Sequence, residues 1–207
     1  MPAHRRPLPA PFLRRLRELE ESYLREDDPI RQSGFGGGPA RWRAERGPIL
    51  NAVEGDGDLL DVGCANGYLL ACLVLWAAER GIRLVPHGVD IGARLIELAR
   101  ARLPQHAANF TVADAWLWEP ARRYRYVFTL HDCVPAKLLA DYVRHLLDEA
   151  VEPGGRLILG AYGSRSDSVM APDLDAVLRG LGFQPAGACR GGDPPINSFV
   201  WLDAPPT

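Results

Sequence analysis

The chain has 207 residues and is 47% hydrophobic, enough for one sizeable domain and too apolar for general disorder. A net charge of −2, from 24 basic and 26 acidic side chains, disfavours nucleic acid as the main partner. Met1–Pro11 is proline-rich and reads as a frayed tail, residues 1–11, with no apolar run behind Arg5 and Arg6 that would make a secretory leader. From Pro11 a helix is predicted, with Leu13, Leu16, Leu19, Tyr23 and Leu24 on one face and Arg14, Arg17, Glu21 and Arg25 on the solvated face. Gln32–Pro39 is a glycine loop, and a second helical piece, interrupted near Gly47-Pro48, carries Trp42, Arg43, Arg46, Ile49, Leu50 and Val53.

After Gly57 the pattern changes. Apolar runs at Leu59–Val62, Leu84–Val89, Phe110–Ala113, Tyr126–Leu130 and Leu157–Ala161 read as buried parallel strands. Helical patterns at Asn66–Arg80, Ala93–Arg102, Ala136–Glu149 and Asp173–Leu181 alternate with them, and two last strands are expected at Phe183–Cys189 and Ser198–Leu202. This is the grammar of a doubly wound α/β sheet, whose ligands bind at the carboxyl ends of the strands. The site is therefore expected in the loops after Val62, Val89, Ala113 and Leu130. The four cysteines form no C-x-x-C pair and no zinc spacing, and read as small buried hydrophobes. No metal site is expected. The longest apolar stretch, Tyr68–Ala78, is too short to cross a bilayer, so a cytoplasmic protein without membrane attachment is expected.

The loop after the first strand reads Asp61-Val62-Gly63-Cys64-Ala65-Asn66-Gly67 and opens into a helix. Gly63 permits a sharp turn, Gly67 close passage of helix against strand or ligand, and Asn66 can cap the helix. A dinucleotide fingerprint has the spacing G-x-G-x-x-G and brings a pyrophosphate onto backbone N–H groups. Here the glycines stand four apart and a carboxylate, Asp61, lies at the strand end. That carboxylate would repel phosphate and favour an ammonium or sulfonium ligand. Asp90 ends the second strand, 29 residues on, where an acid can accept both hydroxyls of a ribose. Asp114 ends the third, where an acid can accept an exocyclic amine of adenine.

With these residues in order, the sequence resembles the class I S-adenosylmethionine-dependent methyltransferases. LLDVGCANG (residues 59–67) looks like that family's first motif, GVDIG (88–92) its second, and VADAW (112–116) its adenine-side motif. LLDEAVEPGGRLILGAYG (146–163) is similar to the stretch entering the fifth strand. The resemblance covers roughly residues 57–203. It implies a seven-stranded, mostly parallel sheet whose last strand is antiparallel, with S-adenosylmethionine as cofactor and S-adenosylhomocysteine as product. It also implies that Asp61, Gly63 and Gly67 surround the methionine end, Asp90 the ribose, and Asp114, Ala115 and Trp116 the adenine. Cys64, Ala65, Asn66, Ile91 and Leu130 complete the expected cofactor set. Three features depart from the family's pattern. Ala65 stands where glycine is frequent, which a negative φ accommodates; the linker Ala115–Arg125 is too short for a full helix; and the fourth strand lacks an acid near its start.

His131 follows the fourth strand, and because an imidazole can exchange a proton at neutral pH it is the expected catalytic base, beside an acceptor-facing Asp132. The compact chain has no other insertion to cap the site, so residues 12–56 are expected to form a lid, with Phe35, Trp42 and Arg46 as its acceptor contacts. The expected reaction is methyl transfer to an oxygen or nitrogen of a small molecule. The rivals are the same fold acting on tRNA or protein, a non-catalytic S-adenosylmethionine-binding protein and, more distantly, a nicotinamide oxidoreductase. The oligomeric state stays open between monomer and homodimer.

Overall fold

The computed structural model describes residues 5–206. The strands are β1 (Gly57–Val62), β2 (Leu84–Asp90), β3 (Phe110–Val112), β4 (Tyr124–Leu130), β5 (Val151–Ala161), β6 (Gly187–Gly191) and β7 (Asn197–Asp203), with apolar runs at the centre of β1, β4 and β5. They make one sheet in the order β3-β2-β1-β4-β5-β7-β6. β1 to β5 are parallel, and β7 runs antiparallel to both its neighbours. Strand order reverses between β1 and β4, which places the switch point of the sheet beside the Asp61 turn.

Alternation along the strands separates two cores. Leu60, Val62 and Val127 face one side, under α5 (Leu139–His145) and α6 (Leu174–Gly180). Leu59, Tyr126, Phe128 and Ile158 face the other, under α3 (Tyr68–Ala78), α4 (Ala93–Arg102) and the N-terminal segment. On this side the segment comprises α2 (Pro39–Arg46) and a 3₁₀ turn over Gly47–Ala52, whereas α1 (Ala10–Tyr23) sets Phe12 and Leu13 against the first core. Ile49 and Leu50 are as deeply buried as the strand residues they touch. None of the described helices is long and apolar enough to cross a membrane.

Several element ends differ from expectation for local reasons. α3 starts at Tyr68 because Gly67, at φ +70°, is not helical. β6 starts at Gly187 rather than Phe183: the Phe183 N–H closes α6 on Leu178 O, and Pro185 has no N–H to give the ladder. The predicted helix 136–149 divides into a 3₁₀ turn, α5 and a π turn over Leu146–Ala150.

The expected frayed tail is corrected for the residues that are described, Met1–His4 lying outside them. Leu8 is 4% exposed and packs with Tyr142 and Leu139. Arg5 donates to Trp116 O (2.6 Å) and pairs with the His145 ring, and Trp116 Nε1 donates to Arg6 O (2.9 Å). Prolines restrict this segment instead of loosening it, and one leucine finds a place in the core.

Candidate functional site

The carboxyl ends of β1, β2, β4 and β5 open onto a cavity of about 270 Å³, closed on its far side by α1 and α2. The turn after β1 forms its floor. Gly63 N and Cys64 N both donate to Val89 O (2.7 and 3.1 Å), which ties the turn to β2. Gly63 has φ +93°, and a Cβ there would lie 2.9 Å from Cys133 Sγ. Gly67 lets α3 pass α4: a Cβ would lie 2.8 Å from that of Ala99. Between them Ala65 has φ +45°, which corrects the expectation of a negative angle. An L-residue in that region is strained, and the turn holds it there through the bond from Ala65 N to Asp90 Oδ2 (2.8 Å).

Three carboxylates face the cavity from consecutive strand ends. Asp61, 3% exposed, accepts no hydrogen bond among the described residues. Burial, with Asp90 nearby, pushes its carboxyl up to about 8. Asp90 accepts from Ala65 N and, through Oδ1, from Gly92 N (2.8 Å), leaving lone pairs on each oxygen for a ligand. Burial raises its pKa, and the Gly92 and Ala65 N–H groups hold that rise back. Asp114 accepts from Trp116 N (2.8 Å) in a turn that presents Ala115 to the cavity. The Asp61 end of β1 is braced from below. Thr129 Oγ1 donates to Val62 O (2.9 Å) and is itself 2.8 Å from the buried Tyr142 hydroxyl.

The opposite flank has different chemistry. Tyr162 follows β5, Phe128 and Leu130 come from β4, and Trp42 and Arg46 from α2. α1 has no buried residue. Its apolar stripe, including Leu16 and Leu19, is a cavity wall, and Glu20 and Tyr23 lie on the same side. Burial pushes the Tyr23 hydroxyl up to about 12 and raises that of Tyr162 as well, so both stay protonated donors at neutral pH. Burial likewise raises the thiols of Cys64 and Cys133, so neither is a ready nucleophile.

Of the residues expected from the sequence, Asp61, Gly63, Cys64, Ala65, Asn66, Asp90 and Ile91 line the cavity. So do Asp114, Ala115, Leu130, Trp42, Arg46 and Asp132. Four do not. Gly67 is the N-cap of α3, against Ala99. Trp116 belongs to the core beside Leu8. Phe35 is buried against Trp42, ring centroids 5.2 Å apart. His131 is the correction that matters most. Its N–H pairs with Gly160 O (3.0 Å), but β4 ends at Leu130 and the chain turns there, Cys133 N closing on Leu130 O (3.2 Å); the turn brings Asp132 and Cys133 to the cavity and leaves His131 out of its lining. Glu20, Tyr23 and Tyr162 were not singled out from the sequence. The Tyr162 signal was present, since it follows its strand as Asp132 follows β4. Tyr23 looked like part of the first helix's apolar face, and nothing in the local sequence set Glu20 apart from its charged neighbours.

A β3-β2-β1-β4-β5-β7-β6 sheet with a glycine turn after β1 and an antiparallel β7 is the fold of the class I, Rossmann-like S-adenosylmethionine-dependent methyltransferases. No known family profile matches the sequence. The structure is similar to that of Burkholderia thailandensis 1,6-didemethyltoxoflavin-N1-methyltransferase bound to 1,6-didemethyltoxoflavin and S-adenosylhomocysteine. That likeness has a TM-score of 0.64 at 17% identity, over 97% of this chain and 93% of that one. It is also similar to the methyltransferase in complex with the Trm112 activator of Haloferax volcanii: TM-score 0.65, 13% identity, over 91% and 98% of the two chains. The [4+2]-cyclase SpnF shares the fold as well, with a TM-score of 0.57 at 15% identity over 78% of this chain and 80% of that one. These likenesses are of fold, and the chemistry has to be argued from the cavity.

Proposed function

We propose that this chain is an S-adenosylmethionine-dependent methyltransferase that transfers its methyl group to an oxygen or nitrogen atom of a small molecule. The observation that carries the reading is Asp61. A buried carboxylate without a hydrogen-bond donor is costly, and a cationic ligand relieves that cost where an anionic pyrophosphate would raise it. The solved neighbours with S-adenosylhomocysteine bound, such as the Burkholderia enzyme, support the same cofactor here.

In this reading Asp61 takes the ammonium of the methionine end, beside the backbone of Gly63 to Ala65. Asp90 takes the ribose hydroxyls on its free lone pairs, and Asp114 with Ala115 the adenine edge. Bound S-adenosylmethionine supplies a methyl group on a positively charged sulfur, already activated for displacement. The chain's own work is then alignment and exclusion of water. Phe128, Leu130, Trp42 and Leu16 give the acceptor an apolar enclosure, and α1 with α2 acts as the lid. Asp132, exposed at the mouth, is the group placed to receive a proton from the acceptor. His131 has no part in this scheme.

Two measurements test the reading. Calorimetry should show binding of S-adenosylhomocysteine and none of NAD. Incubation of a cell extract with the protein and methyl-labelled cofactor should label the small-molecule fraction. Binding of NAD alone, or label confined to RNA or protein, overturns the reading as stated.

A further inference from the structure

Glu45, 2% exposed, is surrounded by more positive charge than it can neutralise. Arg165 Nε lies 3.0 Å from its carboxylate, Arg41 Nε 3.1 Å and Arg46 Nη1 3.5 Å, and Asn197 Nδ2 adds a neutral bond at 3.2 Å. Three guanidinium groups around one carboxylate leave an excess of two positive charges. Arg41 and Arg165 reach water, and Arg165 also donates to Pro194 O (2.8 Å). Arg46 does neither. It is 4% exposed; its Nε is buried with no acceptor among the described residues, and its Nη1 has only the 3.5 Å ion-pair contact with Glu45, outside hydrogen-bond geometry. Its guanidinium lies 3.5 Å from the centroid of the Tyr162 ring and 5.1 Å from those of Phe35 and Trp42. Ring faces stabilise the charge but leave the in-plane N–H groups without strong acceptors. A buried guanidinium whose donors are only partly used, set over the Tyr162 ring with Phe35 and Trp42 nearby at a cavity wall, is a preformed site for a planar anion.

The position of this group separates it from the three acids. Tyr162 follows β5, and β4 lies between β5 and β1, so the Arg46 cage stands about two strand spacings, ~10 Å, beyond the Asp61 turn. Asp90 and Asp114 lie farther still in the other direction. Phe128 and Leu130 of the intervening β4 line the cavity between cage and turn.

We propose that Arg46 is the specificity-determining residue for the acceptor: it binds a carboxylate carried by a small, largely apolar methyl acceptor. Glu45, Arg41 and Arg165 are positioning residues that hold Arg46 against Tyr162. The inference rests on the methyltransferase reading and adds the acceptor's chemical class to it. The amino-acid carboxylate of the cofactor has the same chemistry, and the test distinguishes the two sources.

Calorimetry and ligand-observed NMR on the full chain use benzoate, its uncharged analogue benzamide, S-adenosylhomocysteine and 5′-methylthioadenosine, which lacks the carboxylate. The S-adenosylhomocysteine-loaded wild type is expected to bind benzoate about tenfold or more tightly than benzamide. Arg46→Gln should abolish that preference, and Arg46→Lys, which keeps the charge but not the fork, should retain part of it. Affinity for S-adenosylhomocysteine should stay within a few-fold in both variants and reports that the cofactor half is folded. Should Arg46→Gln fail to fold, Arg46→Lys carries the comparison. Equal binding of benzoate and benzamide, or a benzoate preference that survives the substitutions, overturns the proposal. Loss of S-adenosylhomocysteine affinity with 5′-methylthioadenosine affinity intact also overturns it, by assigning Arg46 to the cofactor's carboxylate. A wild type that binds no S-adenosylhomocysteine defeats the methyltransferase reading instead, and the benzoate comparison on the free chain still reads Arg46.

Discussion

The two flanks of the cavity are built from different kinds of sequence. On the side of β1, β2 and β3, each functional acid sits at or just beyond the end of its own strand, and those that are hydrogen-bonded use neighbouring loops: Asp90 to Ala65 and Gly92, Asp114 to Trp116. On the side of β4 and β5, the groups come from segments far apart in the chain. Arg46 from α2 meets Tyr162, and Glu45 reaches Asn197 in β7 and Arg165 beyond β5. The first flank is negative and repeats one device three times. The second is aromatic, carries the buried positive charge, and uses no device twice. A ligand's generic part suits the repeated flank, and its particular part the assembled one.

The sharpest test of the contrast is Asp61→Asn, expected to weaken S-adenosylhomocysteine binding by roughly 100-fold, about 3 kcal/mol, since a charged hydrogen bond and an ion pair go together. pH gives an independent handle. With its carboxyl at about 8 in the free protein, Asp61 is largely protonated at neutral pH, and a cation needs it ionised. Affinity should therefore rise about fivefold between pH 7 and pH 8, and about tenfold in all before it levels off above about pH 9, a slope that Asp61→Asn removes. Stability has the opposite sign. A carboxyl raised on folding contributes stability that is complete below about pH 4 and is lost as pH rises to about 8. The variant should thus melt higher than the wild-type apoprotein at pH 8, by thermal denaturation.

Next in size is Leu8→Ala, expected to cost about 2–3 kcal/mol in urea unfolding because Leu8 is fully enclosed by the β1–β4 core. A cost no larger than that of an exposed leucine would return residues 5–9 to the status of a loose tail. Smaller again is Ala65→Gly, which should raise stability by roughly 1 kcal/mol by relieving φ +45° while leaving cofactor affinity unchanged. A loss of stability would mean that the turn needs the methyl group. The smallest expected effect is that of His131→Ala on turnover, within a few-fold of wild type, whereas Asp132→Asn should alter the acceptor's KM or kcat. A drop of about 100-fold or more for His131→Ala would restore it as a general base and move the chemistry to the other face of β4.

What the sequence determined by itself is the sheet and the repeated flank. Strand and helix patterns over residues 57–203 and the acids at 61, 90 and 114 are local facts, each set by a few adjacent residues whose consequences do not depend on distant packing. Its errors lie where one bond decides direction. His131 and Asp132 are adjacent, and only the turn that Cys133 N closes on Leu130 O shows which of them faces the cavity. Leu8 and Trp116 look like tail and cofactor neighbour until the chain closes and packs them together. Arg46 was legible as a lid residue, but its importance was not, because a surplus of charge is a property of a cluster. Arg165 and Asn197 stand 120 and 152 residues from Glu45, and only the tertiary structure brings them to its carboxylate, beside Arg46.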